Sequence, residues 1–428
     1  MYKALVIAYY FPPMGLSGVQ RTLKFTKYMK DFNWEPVVLT AASTGYFAHD
    51  SYLLKEAEDA GIRIIRTGGK DLNSRLSGKG TIKMPPEIIR KIFHLLNYTF
   101  FIPDNKIGWA KKAIKSARHL LDNEKIDLLF VSAPPFSSIN MAVKLKKEFN
   151  IPLVIDYRDL WLGNQFSFYP TPIHKLLHKN MEYKALKTAE RIIVTNRKMK
   201  EKILDNYKFL TFDDIYIIPH GYDPEDFKNI KADVKPKEKM RLTYSGIFYD
   251  FVTPKYFLNA FKNLSIERPD VAANIELDFI GILRNENRKL IKKLKLQDFV
   301  KEYGYLNHND ALTKIMSSDI LWMMVGKAKN ADTISSGKLY EYFGTRKPVL
   351  VSVPDGALKS SAQEYGASFI TKPDDVIEIK NAILTLYEHY VSGTLPAPDD
   401  EFVEKHRRDF LTELLTKQFQ FLVKEEII

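Results

Sequence analysis

The chain has 428 residues, 45% of them hydrophobic, and a formal net charge of +12. This length exceeds what one ordinary hydrophobic core can hold and predicts two domains of roughly 200 residues each. Because the sequence contains no cysteine, disulfide bonds, thiolate metal ligands and cysteine nucleophiles are all excluded.

Short apolar runs alternate with helical patterns along most of the chain, which is typical of parallel α/β architecture. In the first half, strands are predicted at YKALVIAYY, PVVLT, RIIRT, LLFVSA, LVIDY and RIIVT. Helices are predicted at VQRTLKFTKYMKDF, GWAKKAIKSARHLLDN, INMAVKLKKEF and KLLHKNMEYKALKTA. The segment that follows is rich in Pro, Lys and Asp, which indicates an interdomain linker.

The alternation then restarts, with strands predicted at RLTYSG, LDFIGI, VKEYGYL, DILWMMV, KPVLVSV and ASFIT. After the break TLPAPDD, apolar residues recur at helical spacing and predict a last helix with one buried face. We therefore predict two Rossmann-like, doubly wound domains with a cleft between them and a C-terminal helix that crosses back to the N-terminal domain. The expected ranges are 1–225, 240–395 and 396–428.

Two candidate sites in the first half follow predicted strands, where open parallel sheets bind ligands. A loop with Gly18 leads from the first strand into a helix that carries Arg21, so it is either a phosphate-binding loop or a plain turn. After the strand LVIDY, the charged residues Asp156, Arg158 and Asp159 lie together. At least one of these carboxylates orients an acceptor hydroxyl, or else Asp156 or Asp159 simply caps the next segment and pairs with Arg158.

A third candidate site lies in the stretch SSGKLYEYFGTRKPVL, which predicts a helix from about Gly337 with Ser335 or Ser336 as its N-cap. Lys338 in the first turn opposes the helix dipole unless an anion also binds there. Lys338 and Glu341 are three residues apart and so share one helix face. A diphosphate would neutralise the lysine, and Glu341 could accept two hydrogen bonds from a ribose diol. The alternative is that Glu341 complements the dipole and Lys338 is solvated.

Seven segments occur in the order and spacing of one large enzyme family. They are YYFPPMGLSGVQR, FIPDNKIGW, VSAPPFSSINMAVKLKKEFNIPLVIDYRDLW, RIIVTNRKMKEKI, IIPHGYDPEDF, LTYSGIFY and GKLYEYFGTRKPVL. Over almost its full length the chain resembles the retaining glycosyltransferases of family 4, which have the GT-B fold. The resemblance implies transfer of a sugar from a nucleotide diphosphate sugar, with a UDP-sugar expected first, to a saccharide or lipid-linked saccharide. A cell-envelope, capsule or exopolysaccharide pathway is the implied setting.

By this resemblance, Glu341 matches the second glutamate of the family's E-x7-E motif, which holds the donor ribose, whereas Thr333 replaces the first. The family's basic pair after the first strand of the second domain is not evident either. Lys338 is therefore the expected substitute that binds the diphosphate, with Arg284 as a second option. The other expected donor-binding residues are Gly18, Gly246, Tyr305, Leu306, Ser336, Gly337 and Leu339. The expected catalytic residues are Asp156, Arg158, Asp159 and Lys338.

The resemblance also implies an oxocarbenium-like transition state in which charge builds on the departing diphosphate, so a cation there contributes most to catalysis. The leaving phosphate oxygen would take the acceptor's proton, so no protein nucleophile is expected. We expect no metal site, because no DxD loop is evident, and no cofactor besides the donor. Three alternatives use the same fold: a sugar-nucleotide epimerase, a glycan phosphorylase, and an inactive sugar-nucleotide-binding protein.

The excess of positive over negative charge is confined to the N-terminal half of the chain. Residues 1–223 hold 34 Lys and Arg against 22 Asp and Glu, whereas the rest of the chain holds 30 of each. This asymmetry predicts an anionic partner for that half, unless the basic residues merely solvate helices. A nucleic acid is not expected, because the basic residues are scattered and no known motif accompanies them.

Residues 88–103 have the mixture of cations and aromatic side chains found in interfacial helices. They include Arg90, Lys91, Phe93, His94, Leu95, Tyr98, Phe100 and Phe101. We expect this segment to touch an anionic membrane; the alternative is that its aromatic residues are core. The chain begins without a charged leader, and no apolar run reaches about 18 residues, so we expect a cytoplasmic protein that is either soluble or peripheral on the inner face of the membrane.

Overall fold

The structure is a computed structural model that describes residues 1–15, 17–42, 48–68, 87–228, 230 and 239–424. The chain divides into two compact units, one built by Met1–His220 with the last helix, and the other by Gly221–Arg407. Each unit contains one parallel sheet with helices between its strands, which confirms the predicted fold class of two Rossmann-like domains. Most of the predicted linker, residues 229 and 231–238, lies outside the described residues.

Unit 1 contains a seven-stranded parallel sheet. Its strands are β1 (Tyr2–Ile7), β2 (Trp34–Ala41), β3 (Arg63–Thr67), β4 (Leu128–Ala133), β5 (Leu153–Tyr157), β6 (Arg191–Val194) and β7 (Ile215–Ile217). The described helices of the first 220 residues are α1 (Ser17–Tyr28), α2 (Ser51–Asp59), α3 (Glu87–Phe100), α4 (Ile107–Asn123), α5 (Ser137–Phe149), α6 (Pro172–Thr188) and α7 (Arg197–Asn206). The strand order β3-β2-β1-β4-β5-β6-β7 places a topological switch point between β1 and β4.

Unit 2 contains a six-stranded parallel sheet. Its strands are β8 (Met240–Ser245), β9 (Ile275–Ile280), β10 (Val300–Gly304), β11 (Ile320–Met324), β12 (Val349–Ser352) and β13 (Ser368–Thr371). Its described helices are α8 (Pro224–Lys228), α9 (Lys255–Glu267), α10 (Pro269–Ala272), α11 (Asn285–Lys293), α12 (His308–Met316), α13 (Gly337–Gly344), α14 (Ala357–Tyr365), α15 (Val376–Ser392) and α16 (Asp400–Lys405). The order β10-β9-β8-β11-β12-β13 places the switch point of this sheet between β8 and β11.

The sequence explains why these segments are strands and where several helices begin. All residues of β4 and β11 are buried, as expected for apolar runs covered by helices on both faces of a parallel sheet. The Asn196 side chain accepts a hydrogen bond from Met199 N and so caps α7. Asp375 caps α15 in the same way, and Gly393 ends that helix in the left-handed conformation.

The last described helix is α17 (Arg408–Lys424), and it belongs to unit 1. Leu411, Leu415 and Phe419 recur at helical spacing and are buried in the core of that unit. The ring of Phe419 meets Trp34 edge to face, with ring centroids 5.2 Å apart. The preceding helix α16 packs in the core of unit 2 through Phe402, so the predicted range 396–428 is shared between the two units.

No helix in the described ranges is both long enough and apolar enough to cross a membrane.

Candidate functional site

In unit 2, the loops that follow β8 and β9 approach each other closely. Each loop has a glycine at the point of contact, because a side chain would not fit there. Gly246 has φ +146°, and its N–H donates to Ile280 O at 2.7 Å. A Cβ on Gly281, which has φ +112°, would lie 2.3 Å from Gly246 O. The Tyr342 hydroxyl accepts a hydrogen bond from Ser245 N at 2.8 Å and so connects α13 to the end of β8. The two loops therefore pack backbone against backbone at the end of β8, next to the switch point, where only glycine fits.

Lys338 occupies the space that a side chain at position 246 would need. A Cβ on Gly246 would lie 2.0 Å from Lys338 Nζ. This ammonium donates to the Tyr244 hydroxyl at 3.2 Å and lies 4.2 Å from the centre of the Tyr244 ring. Burial lowers the pKa of Lys338 to about 7, although the nearby Glu341 carboxylate acts in the opposite direction. Lys338 is thus half-buried, and no carboxylate among the described residues forms an ion pair with it.

Glu341 lies on the same helix as Lys338, and His308 connects it to a second carboxylate. His308 Nε2 is 3.0 Å from Asp226 Oδ2, and His308 Nδ1 is 3.8 Å from Glu341 Oε1. Among the described residues, no donor reaches hydrogen-bond distance of the buried Glu341 Oε1. A buried carboxylate oxygen without a donor is costly unless a ligand supplies one. Glu341 therefore has an unmet need for a hydrogen-bond donor at this oxygen.

The start of α13 differs in one respect from its prediction. Ser336 is the N-cap residue, but its side chain makes no capping hydrogen bond. The first N–H groups of the helix, including that of Gly337, therefore have no side-chain cap. The Leu339 side chain is fully buried in the core, so it packs rather than contacts a ligand. Thr333 is also buried, and its hydroxyl donates to Asn330 O at 2.8 Å.

The other predicted donor residues lie at the carboxyl ends of neighbouring strands. Arg284 is half-buried and is the N-cap residue of α11, three residues after Gly281. Tyr305 and Leu306 follow β10 and are half-buried, with Leu306 packed against the core. The structure thus brings Gly246, Lys338 and Glu341 into one arrangement, and it places these three residues at the same edge of the sheet.

In unit 1, Asp156 is a structural ion-pair partner of Arg21. Both side chains are fully buried, and Arg21 Nη2 lies 2.8 Å from Asp156 Oδ1. Ser132 Oγ also donates to Asp156 Oδ2, at 2.9 Å, and Arg21 donates to two backbone carbonyl groups near β7. The sequence-based alternative that paired this carboxylate with Arg158 is therefore wrong about the partner. The Asp156 carboxylate is fully buried and hydrogen-bonded to Arg21 and Ser132, so it cannot reach an acceptor. Its predicted catalytic role is therefore replaced by a structural one.

Arg158 and Asp159 have different environments although they are adjacent. The buried guanidinium of Arg158 donates to the carbonyl oxygens of Gly18 and Pro134 and so connects the first turn of α1 to the loop after β4. Asp159 is half-buried, and its side chain is hydrogen-bonded to Gln165. Burial raises the pKa of Asp159, and Arg158 opposes the shift. Asp159 is therefore the more accessible of the two carboxylates in this predicted group.

Sequence reasoning missed several residues of both sites. Tyr244, Tyr342 and Gly281 shape the unit 2 arrangement, and His308 connects its carboxylates. The only signal for Tyr244 is its position at the end of the strand, two residues before Gly246. Gly281 and His308 come from segments distant along the chain, whereas Tyr342 lies on α13 next to Glu341.

Replacing Tyr342 by phenylalanine removes the acceptor of the Ser245 N–H group. We expect the free energy of unfolding to fall by about 1–3 kcal/mol, because a largely buried donor loses its partner. Urea denaturation measures the change, with Tyr387→Phe on α15 as the matched control. Equal stability of Tyr342→Phe and the wild type would show that this hydrogen bond does not hold the end of β8.

Two sequence comparisons bear on the identity of the chain. The sequence model of the family described as Glycosyltransferase Family 4 matches residues 26–226. A comparison with curated proteins finds no sequence match.

Solved structures of similar fold cover nearly the whole chain. Sucrose-phosphate synthase from Thermosynechococcus elongatus has a TM-score of 0.65 and 14% identity, covering 99% of this chain and 100% of its own. HepE from Anabaena in complex with UDP and glucose has a TM-score of 0.59 and 12% identity, covering 100% and 98%. WaaG, a glycosyltransferase involved in lipopolysaccharide biosynthesis, has a TM-score of 0.60 and 12% identity, covering 98% and 99%. The two parallel α/β units and these structures thus show a GT-B fold, and residues 26–226 of the chain are similar to Glycosyltransferase Family 4.

Proposed function

We propose that the protein is a retaining glycosyltransferase that moves a sugar from a nucleotide diphosphate sugar to a hydroxyl of a saccharide or lipid-linked saccharide. The observation that carries the proposal is the contact of Lys338 with Gly246 beside the uncapped start of α13. The family match supports sugar transfer. The fold shared with a protein solved in complex with UDP and glucose supports a UDP-sugar as donor.

The unit 2 residues would stabilise the departing diphosphate. As the bond between the anomeric carbon and the phosphate oxygen breaks, negative charge grows on that oxygen, next to the Lys338 ammonium and the helix N–H groups. The acceptor oxygen then bonds to the anomeric carbon, and its proton passes to the leaving phosphate oxygen. Glu341 would hold the ribose hydroxyls through the oxygen that has no donor among the described residues.

The unit 1 residues would hold the acceptor. We assign Asp159 to orient the acceptor hydroxyl, because it is the accessible carboxylate at the carboxyl end of β5. Arg158 would act as a positioning residue, since its guanidinium donates hydrogen bonds to carbonyl groups in the first turn of α1 and in the loop after β4.

The proposal predicts that a nucleoside diphosphate raises the melting temperature of the purified protein. At 100-fold excess over Kd the stabilisation is about 2.7 kcal/mol, or several degrees. UDP, GDP, ADP, dTDP and CMP are compared, and Glu341→Gln should lose most of the rise because an amide nitrogen cannot accept from the ribose. Glu364→Gln, on the exposed side of α14, is the control. If no nucleotide changes the melting temperature, the proposed donor site is wrong.

Product analysis separates the proposal from its rivals in the same fold. Transfer with retention gives a glycoside of unchanged anomeric configuration, visible by NMR, together with free nucleoside diphosphate. An epimerase would return an altered nucleotide sugar, and a phosphorylase would require inorganic phosphate. An inactive binding protein would bind the nucleotide and release nothing.

We also propose that unit 1 touches an anionic membrane, which would suit a lipid-linked acceptor in cell-envelope, capsule or exopolysaccharide synthesis. On α3, Phe93, Leu95 and Phe100 are 47%, 46% and 73% exposed. On α6, Ile173 and Leu176 are 68% and 56% exposed. The two helices meet where His174 Nε2 lies 3.2 Å from Thr99 O. The side chains of Lys91 and His94, also predicted to take part, lie outside the described residues.

Replacing Phe93 and Phe100 by serine should strongly reduce binding to vesicles of phosphatidylcholine with about one third phosphatidylglycerol. Each exposed aromatic ring that leaves water contributes favourable free energy, and that term is lost with the ring. Flotation measures the bound fraction, and Phe421→Ser, which removes an exposed ring from α17, is the control. If the wild type does not float with these vesicles, the membrane proposal fails.

A further inference from the structure

Unit 1 contains a cavity that the predicted site residues do not occupy. Its volume is about 130 Å³, and it lies at the carboxyl ends of β1, β4 and β5. The residues that line it include Tyr10, Tyr98, Asp104, Lys106, Phe136 and Trp161. This is the switch point between β1 and β4, where open parallel sheets bind ligands. At about 30 Å³ for each water in the liquid, this volume corresponds to about four waters, and it is close to the roughly 150 Å³ of a cavity that binds benzene, so it can receive the core of one six-membered ring.

The apolar part of the cavity consists of aromatic rings. The rings of Phe136 and Trp161 are stacked, with centroids 4.9 Å apart and planes 8° apart, and both side chains are buried. Tyr10 and Tyr98 add two half-buried rings. The electron-rich face of an aromatic ring attracts the positive edge of C–H groups. Such a lining fits a ligand that has a C–H face as well as hydroxyl groups.

The polar part of the cavity is fixed in place and balanced in charge. The Asp104 carboxylate accepts from Ser137 N at 2.8 Å and from Lys106 N at 2.9 Å, and each oxygen keeps a second lone pair. Lys106 supplies an ammonium group, which lies 4.8 Å from the centre of the Tyr9 ring. The charges of one carboxylate and one ammonium group cancel, and this balance favours a neutral ligand over an ion.

A neutral histidine completes the polar lining. Trp161 Nε1 donates to His178 Nδ1 at 2.9 Å, so the proton of the neutral imidazole is on Nε2. Burial lowers the pKa of His178 to about 4, and the ring is therefore uncharged at neutral pH. The cavity thus offers a carboxylate acceptor, an ammonium donor and an imidazole N–H donor beside aromatic faces.

We propose that this cavity binds one pyranose ring of a neutral saccharide, which is the acceptor if the function proposed above is right. Aromatic faces would cover the C–H side of the ring, while Asp104, Lys106 and His178 would bond its hydroxyls. α3 and α6 each line the cavity, through Tyr98 and His178, and also carry the exposed apolar side chains described above. A lipid attached to the bound ring would therefore have an apolar surface within reach.

Saturation-transfer NMR of the whole protein tests the proposal with methyl α- and β-pyranosides of glucose, galactose and mannose, and with methyl glucuronoside as the anionic probe. We expect transfer to at least one neutral glycoside. Asn105→Trp, which would fill the cavity, and Tyr98→Ala, which removes one ring, should each reduce it at least fivefold. Tyr183→Ala, which removes an exposed ring from α6, should leave it unchanged.

Three outcomes would overturn the proposal: no transfer to any neutral glycoside, transfer that survives in both cavity variants, or a preference for glucuronoside. The melting-temperature rise with nucleotide is measured on the same samples, since unit 2 residues build that site. A lost nucleotide response with glycoside binding retained would reject the donor proposal and leave the cavity proposal standing. The reverse pattern would reject the cavity alone.

Discussion

Replacing Lys338 by methionine should remove most of the melting-temperature rise that a nucleoside diphosphate produces, without lowering the melting temperature of the free protein. A charge-assisted hydrogen bond contributes about 1.5–3 kcal/mol, so affinity should fall roughly 10- to 100-fold. Turnover should fall on the order of 10²–10³-fold, because the cation acts where charge develops. The free protein should lose no stability, since the half-buried ammonium opposes folding and a thioether of similar length does not.

The same residue should make nucleotide binding depend on pH. Lys338 is protonated below its pKa of about 7 and loses its charge as the pH rises through that value. Nucleotide affinity of the wild type should therefore fall between pH 6 and pH 9, by at most tenfold per unit, while that of Lys338→Met should change much less. Because the folded pKa lies below the unfolded value of about 10.4, this lysine makes the free protein more stable as pH rises across that window, and the variant lacks this gain.

Titration calorimetry across this pH range measures nucleotide affinity, and urea denaturation at the same pH values measures the stability of the free protein. Lys289→Met, on the exposed side of α11 in the same unit, removes one positive charge elsewhere and should behave as wild type. An unchanged nucleotide response in Lys338→Met would show that the diphosphate does not bind there. A pH profile identical in Lys338→Met and wild type would contradict the assigned titration.

Replacing Asp156 by alanine should lower the free energy of unfolding by about 3–5 kcal/mol, because the buried Arg21 guanidinium would lose its counter-ion. Guanidinium chloride denaturation measures the change. Asp122→Ala, an exposed carboxylate on α4, should change stability by less than about 0.5 kcal/mol. The double variant Arg21→Met with Asp156→Ala should regain part of the loss, since neither charge then remains buried alone.

The opposite result would restore the catalytic reading of Asp156. If Asp156→Ala kept wild-type stability but abolished turnover, the carboxylate would have to contact the substrate. Asp159→Asn provides the comparison, because its half-buried carboxylate is the one we assign to the acceptor. That variant should fold normally and lose activity.

Most strands were predictable because a strand that is covered by helices on both faces of a parallel sheet must be a short apolar run. The prediction failed for β7, Ile215–Ile217, which was not recognised as a strand. Three residues are too few to show a period, and the strand forms because β6 offers it a pairing edge. The last helix was predicted from its spacing, but the sequence did not show that α16 packs with unit 2 before α17 joins unit 1.

The site was predictable only in part. A lysine in the first turn of a helix signals a bound anion, and this local conflict was visible in the sequence at Lys338. The partners of that lysine were not visible, since Tyr244 comes from β8 and approaches it only because β8 and β11 are neighbours. The aromatic cavity of unit 1 was missed for the same reason: its residues come from five separate segments.

By itself, the sequence determined most strands and helices and the two-domain class, and it indicated Lys338 and Glu341 as candidate residues for a diphosphate sugar. These depend on local periodicity and on side-chain type, which neighbouring residues along the chain reveal. Only the tertiary structure decided that Asp156 supports Arg21, 135 residues away, while Asp159 remains accessible. Asp156 and Asp159 are close in sequence but differ in burial and in ion pairing. The reason is that the groups that bury them and neutralise their charge come from segments that are distant in sequence and close in space.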